Sequence, residues 1–298
     1  MKIFITGGTG FVGSTLASHF LSKRHAVTVM ERSLHPGRTI PEGIAIVEAD
    51  GRFPGSWQEE AGRHDVIINL AGASIFTRWT ATQKKLIYES RILTTKHLAD
   101  ALTGGKTRAL LSASAVGYYG FHGDEILDET EAPGSDFLAQ VCRDWEAAAL
   151  QAEGKTRVVL CRFGIVMGEG GALVPMARAA KFFMGNHLGS GKQWFSWIHL
   201  LDLARVFEFL LEENISGPVN CTSPYPLQNR ELYRTLRETV GRPALVPPVP
   251  GFAIRLLLGE FGSVLLKGQR VVPEKLGRAG FLFSYPTMQE ALVDILKG

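Results

Sequence analysis

The segment Thr6-Gly7-Gly8-Thr9-Gly10-Phe11-Val12-Gly13 spaces its glycines as a phosphate cradle does. It follows a short apolar run, Lys2–Thr6, and opens a stretch with helical spacing, Ser14–Leu21. In that setting Gly7 allows a tight turn, Gly10 lets the backbone approach a pyrophosphate, and Gly13 lets helix and strand pack closely. Thr9, Phe11 and Val12 then stand at a helix N-terminus, where unpaired N–H groups and the helix dipole favour anions. A second apolar run ends Val27-Thr28-Val29-Met30-Glu31-Arg32-Ser33. An acid at this point suits the ribose hydroxyls of NAD, and an arginine suits the 2′-phosphate of NADP. Arg32 can clamp a phosphate with two parallel hydrogen bonds, so NADP is favoured over NAD provided Glu31 points away.

Elements that could hold such a loop follow in order. Apolar runs at Ala26–Met30, Ile44–Glu48, Val66–Leu70, Ala109–Ser114 and Thr156–Arg162 alternate with helical patterns, the longest of them Lys84–Leu102. Strands alternating with helices predict βαβ units and a parallel sheet. After Gly164 glycines and aromatics become dense through Trp197. A helix is predicted from Leu201 to Glu213, a strand at Val219–Cys221 and a helix at Asn229–Val240, before a proline-rich stretch, Ala244–Gly251. The expected organisation is a Rossmann-type doubly wound α/β domain over 1–165. A smaller, partly interleaved substrate region covers 166–298, and about 200–222 returns to the first domain.

The chain has 298 residues, 45% of them apolar, and a formal net charge of +3. That is ample for a packed core and excludes global disorder. Three widely spaced cysteines, no CxxC pair and no HExxH make a disulfide framework or a metal site unexpected. The N-terminus lacks the long apolar core of a secretory signal, no apolar stretch reaches the ~18 residues of a membrane span, and a cytoplasmic location is expected. No basic aromatic array points to nucleic acid, and no amphipathic anchor or lipidation signal points to a membrane. Nothing in the sequence specifies an oligomeric state.

The gathered motifs resemble the extended, epimerase-like branch of the short-chain dehydrogenase/reductase superfamily. Asp50-Gly51 is similar to that branch's adenine-contacting acid. Asn69-Leu70-Ala71-Gly72 is similar to the fourth-strand segment that passes the cofactor. Ser112-Ala113-Ser114 with Tyr118-Tyr119-Gly120 is similar to its fifth-strand serine region, and Arg162–Gly168, containing Ile165, to the stretch leading toward substrate. Arg78-Trp79-Thr80, Ser90-Arg91, Trp145-Glu146, Gly189-Ser190-Gly191, Trp197-Ile198-His199 and Gly268–Pro273 narrow the resemblance to an atypical subgroup, the YfcH-like epimerase family proteins. The resemblance implies NADP binding, with Leu70, Ala71, Gly72, Arg91 and Ile165 near the cofactor.

One feature of the superfamily is missing. Its usual Tyr-x-x-x-Lys dyad moves protons at the substrate oxygen, the lysine lowering the tyrosine's pKa. None of the six tyrosines here is followed four residues later by lysine. The helix expected to carry the dyad, Phe137–Leu150, has Leu138 and Cys142 at that spacing from Glu146. Ser114 and Tyr118 remain as candidate catalytic groups. Trp79, Trp197 and His199 are candidate substrate-pocket walls, with Asp202 as a partner for His199. Arg162, at a strand end, requires an anion or carboxylate partner. Two functions follow: an NADP-dependent oxidoreductase or epimerase-like enzyme acting on an unidentified small hydroxy or carbonyl compound, or an NADP(H)-binding redox sensor without turnover.

Overall fold

The computed structural model describes residues 1–33, 41–103 and 105–297. Its strands are β1 (Lys2–Thr6), β2 (Ala26–Glu31), β3 (Ala45–Glu48), β4 (Val66–Asn69), β5 (Ala109–Ala115), β6 (Ile126–Leu127), β7 (Arg157–Phe163), β8 (Ile165–Met167), β9 (Trp194–Phe195), β10 (Trp197–His199), β11 (Gly217–Cys221), β12 (Leu227–Gln228) and β13 (Arg270–Val271). Seven of them form one sheet in the order β3-β2-β1-β4-β5-β7-β11, every neighbour parallel. The order reverses between β1 and β4, which opens a crevice at the strands' C-terminal ends. The doubly wound α/β sheet expected from the sequence is the one observed.

Both faces of the sheet are covered, and the strand sequences say why. Side chains alternate between faces along a strand, so Ile3 and Ile5 enter one core while Phe4 enters the other. Leu111 and Leu110 divide likewise, as do Val159 and Leu160. The first core is closed by α1 (Phe11–Ser22) and the second by α2 (Trp57–Ala61), α3 (Ala81–Ala101) and α4 (Phe137–Leu150). Each fully buried aliphatic side chain favours this packing by roughly 1.5–3 kcal/mol. Helix α1 begins at Phe11, three residues before the predicted start, because Gly10 already occupies the cap position. Helix α3 begins at Ala81, where the Thr80 hydroxyl accepts the Gln83 N–H at 3.2 Å.

Beyond β7 the chain builds α5 (Leu173–Lys181), α6 (Leu200–Glu212), α7 (Asn229–Val240), α8 (Gly251–Leu258), α9 (Glu260–Leu265), α10 (Glu274–Arg278) and α11 (Met288–Lys297). Helix α6 packs beside α1 on the first core, and β11 joins the sheet edge. Helices α5, α7 and α11 gather a third core around Met167, Trp197, Leu232, Leu236 and Leu292. Short pairings β8–β10, β9–β12 and β6–β13 tie this part to the sheet. Among the described residues no helix is long and apolar enough to cross a membrane.

Candidate functional site

The glycine loop sits at the sheet's switch point, between the ends of β1 and β4. Gly7 has φ +66°, and a Cβ there would lie 2.9 Å from the Leu70 carbonyl oxygen. Gly13 is tighter still, since a Cβ would lie 2.2 Å from the Gly7 oxygen. These two glycines bring loop, helix and β4 into backbone contact. Gly10 caps α1 without any side chain over it, leaving the first-turn N–H groups without intrahelical acceptors. The Thr6 hydroxyl accepts the N–H groups of Leu70 and Ala71 at 3.1 and 3.2 Å and donates to Asn69. The segment Leu70-Ala71-Gly72 is thereby fixed along the crevice.

At the other side of the loop, Glu31 accepts hydrogen bonds from the Thr9 hydroxyl and the Arg32 backbone N–H. Its carboxylate is drawn toward the glycine loop. The Arg32 side chain is exposed, and its guanidinium makes no ion pair among the described residues. Asp50 is gripped by Arg52, whose Nη2 lies 2.6 Å from its carboxylate and whose Nε reaches both oxygens at 3.1 Å. The Arg52 side chain holds the Asp50 carboxyl below the usual carboxylate range, and Arg32 adds a smaller push in the same direction. Two guanidinium groups therefore stand at the end of β2 and β3. Arg52 is absent from the sequence reading, although Asp-x-Arg two residues apart was its available signal.

Arg91, on α3, donates from Nη1 to the carbonyls of Ala73 and Ile87, both at 3.0 Å, and lies 5.2 Å from the Trp145 ring centroid. A Cβ on Gly72 would meet the guanidinium at 2.9 Å, so this glycine is the gap through which Arg91 reaches the crevice. No carboxylate pairs with it among the described residues, and burial pulls its pKa below the usual arginine value.

Under the end of β5 lies a buried polar chain. The Ser114 hydroxyl donates to Glu146 at 2.7 Å, and Arg162 grips the same carboxylate from Nε and Nη2, each at 2.8 Å. Arg162 Nη1 donates to the Tyr119 hydroxyl, which donates to Asn220. Burial alone would weaken the Arg162 guanidinium, but Glu146 more than offsets it and raises its pKa. Tyr119 is pushed up to about 12, mainly by burial. The half-buried Tyr118 ring lies over the Arg162 guanidinium, 3.5 Å from it. Glu146 answers the sequence's demand for an Arg162 partner. At the position where the superfamily's lysine was sought stands Cys142, whose thiol burial pushes up to about 12. It is no acid or base near neutrality.

The remaining candidates separate. Trp79 packs edge-on against Phe137 and at a tilt against Phe261 of α9, with Lys84 above both Trp79 and Phe137. Ile165 opens β8 just past β7 and is half-buried. Trp197 and His199 are corrections. Trp197 is wholly buried in the third core with its indole N–H donated to the Tyr225 carbonyl. His199 is buried as the cap of α6, its Nδ1 accepting the Leu201 N–H at 3.2 Å. It faces Asp294 at 3.3 Å, out of line for a hydrogen bond, and not Asp202. Asp202 instead accepts the backbone N–H groups of Ser284 and Tyr285. Aromatic density in this stretch reflects core packing. No cluster of metal-ligating side chains occurs among the described residues.

The sheet order, the glycine loop at its switch point and the adjoining arginines define a Rossmann-type α/β protein with a nucleotide-binding crevice. The chain belongs to the NAD dependent epimerase/dehydratase family, whose model matches residues 3–222. A second model, a domain of unknown function called DUF1731, matches residues 249–295. The chain is 39% identical to the chloroplastic "Epimerase family protein SDR39U1 homolog" of Arabidopsis thaliana, over 100% of this chain and 87% of that one. It is 36% identical to "Epimerase family protein YfhF" of Bacillus subtilis, over 99% and 98% of the two chains. The human epimerase family protein SDR39U1, solved with NADPH, superposes with a TM-score of 0.88 at 32% identity, each chain covered fully. The resemblance carried by the sequence motifs is borne out.

Proposed function

We propose that this chain binds NADP(H) in the switch-point crevice and acts as an oxidoreductase or epimerase-like enzyme on a small hydroxy or carbonyl compound. The observation that carries the reading is the charge arrangement beside the glycine loop. Arg32 is exposed and makes no ion pair among the described residues, which leaves its guanidinium for a phosphate. The human relative solved with NADPH supports the same choice, and NAD is the less favoured cofactor.

The chain's residues fit such a group. Gly7, Thr9, Gly10, Phe11, Val12 and Gly13 would hold the pyrophosphate, since the cradle is one that a Cβ would fill. Arg32 would hold the 2′-phosphate and Asp50, with Arg52, the adenosine edge. Leu70, Ala71, Gly72, Arg91 and Ile165 would line the nicotinamide half. The chemistry a bound nicotinamide supplies is hydride exchange. Tyr118 is the side chain we assign to proton transfer at the substrate oxygen, with Arg162 beneath its ring fixing its plane. Ser114 would orient a substrate hydroxyl by accepting its hydrogen bond, because its own proton is donated to Glu146. Trp79 would form an apolar wall.

One observation favours a second reading, a redox sensor that binds NADP(H) without turnover. Leu138 and Cys142 stand where the superfamily's proton-transfer dyad was sought, and neither is an acid–base group. Calorimetric titration of cofactor-stripped protein tests the binding that both readings share. Tight NADPH and weak NADH are expected, and binding of neither overturns both. A screen of carbonyl compounds for NADPH oxidation then separates them. Turnover lost in Tyr118→Phe supports the enzyme, and turnover unchanged in that variant removes Tyr118 from the role.

A further inference from the structure

Several large apolar side chains left outside the cores lie on two adjoining segments. Phe252, Leu256 and Leu257 of α8 are 74%, 77% and 71% exposed, and of this helix only Ile254 is buried. The segment feeding α8 carries Leu245, also 74% exposed, and runs beside the segment after α5, which carries exposed Phe182 and Met184. The two segments are joined by backbone bonds. The Leu245 N–H donates to Phe183 at 2.8 Å, the Val249 N–H to His187 at 3.2 Å, and the Gly189 N–H to Val249 at 2.9 Å. An apolar surface of this kind on a monomer marks an interaction site.

Charge indicates what it meets. Residues 170–192 and 239–259 contain five Lys or Arg and no Asp or Glu. None of those five cations, Arg178, Lys181, Lys192, Arg242 and Arg255, makes an ion pair among the described residues, and Arg242 lies over the Phe183 ring at 5.1 Å. A second copy docked through the same face would bring these cations together with no carboxylate from either segment to pair them. The apolar groups stand out on a short helix instead of lining a groove, which suits a deformable surface better than a shaped partner.

We propose that this face docks on an anionic lipid bilayer. Phe252, Leu256 and Leu257 enter the boundary between headgroups and acyl chains, and Arg242 and Arg255 sit at the level of the lipid phosphates. The contact is peripheral, consistent with the lack of any crossing helix among the described residues. It revises the expectation of no membrane contact. The pattern is hidden in the linear sequence because the apolar and basic residues come from two distant segments and are interrupted by prolines. The proposal does not depend on the cofactor reading.

The test is co-sedimentation of the full chain with vesicles of phosphatidylcholine alone and of phosphatidylcholine mixed with phosphatidylglycerol. Binding to the mixed vesicles only, weakening as salt is raised, is the expected result. The pairs Leu256→Glu with Leu257→Glu, and Arg242→Glu with Arg255→Glu, alter exposed side chains, so folding is checked by an unchanged thermal midpoint. Each pair is expected to lower vesicle partitioning by about tenfold or more. A wild-type chain that stays in the supernatant with both vesicles overturns the proposal, as does binding that neither pair weakens. A dimer in light scattering that the leucine pair dissolves also overturns it, because the face then belongs to a second copy.

Discussion

Glu146 and Arg162 face each other edge to edge, two N–O contacts of 2.8 Å between side chains that are 6% and 3% exposed. Neither is stable in that setting without the other, because an unpaired buried charge costs several kcal/mol. Glu146→Ala is therefore expected to lower unfolding free energy by about 3–5 kcal/mol. Urea denaturation checks this, and a loss below about 1 kcal/mol would show that water or another group reaches Arg162. The same substitution frees the Ser114 hydroxyl and removes the tether of the guanidinium beneath Tyr118. Any activity should thus fall more than the folded fraction does.

Cofactor discrimination rests on the end of β2. Arg32→Ala removes a charge-assisted clamp and is expected to weaken NADPH by about 1.5–3 kcal/mol while NADH changes little. Arg52→Ala should instead weaken NADPH and NADH alike, because that guanidinium grips Asp50 at the adenosine edge. Calorimetry with both cofactors reads the two variants. Equal losses for NADPH and NADH in Arg32→Ala would move that arginine from the 2′-phosphate to the adenosine.

The sheet was legible because its strands carry runs of consecutive apolar residues, which a strand covered on both faces favours. Ile3, Phe4 and Ile5 are one example. The tight glycine loop was legible because Gly7 and Gly13 meet backbone atoms too closely for a Cβ. The Ser114–Glu146–Arg162 chain was not, because its members are 16 and 32 residues apart and meet only when β5, α4 and β7 pack. Trp197 and His199 misled for a related reason. A strand pattern does not say whether a side chain meets a cleft or a core, and β10 buries both.

Gly13 offers a sharp test of the cradle. A methyl group there would sit 2.2 Å from the Gly7 oxygen and 2.6 Å from the Gly8 Cα, both backbone atoms with no rotamer to yield. Gly13→Ala must push α1 away from the loop, at a cost of about 1–3 kcal/mol in stability by the usual penalty of overpacking. Nucleotide affinity should fall at least about tenfold, since donors displaced from their aim lose strength steeply. Thermal midpoint and NADPH titration measure the two effects. Full affinity in a folded variant would place the phosphates elsewhere.

His199 sets an acid limb on stability. Burial lowers its pKa from the usual histidine value, and the Asp294 and Asp202 carboxylates counter this only in part. The unfolded chain therefore binds a proton at higher pH than the folded one does. The resulting contribution is fully present above the unfolded pKa of about 6.5 and is lost as pH falls toward the lower folded value. Protonation also turns Nδ1 from acceptor to donor, so the Leu201 N–H at 3.2 Å loses its cap. His199→Asn keeps a cap acceptor and removes the titration. Between pH 7.5 and 5 the wild-type thermal midpoint should fall more steeply than that of the variant. Parallel curves would mean that His199 exchanges its proton equally in both states, and the burial argument would fail.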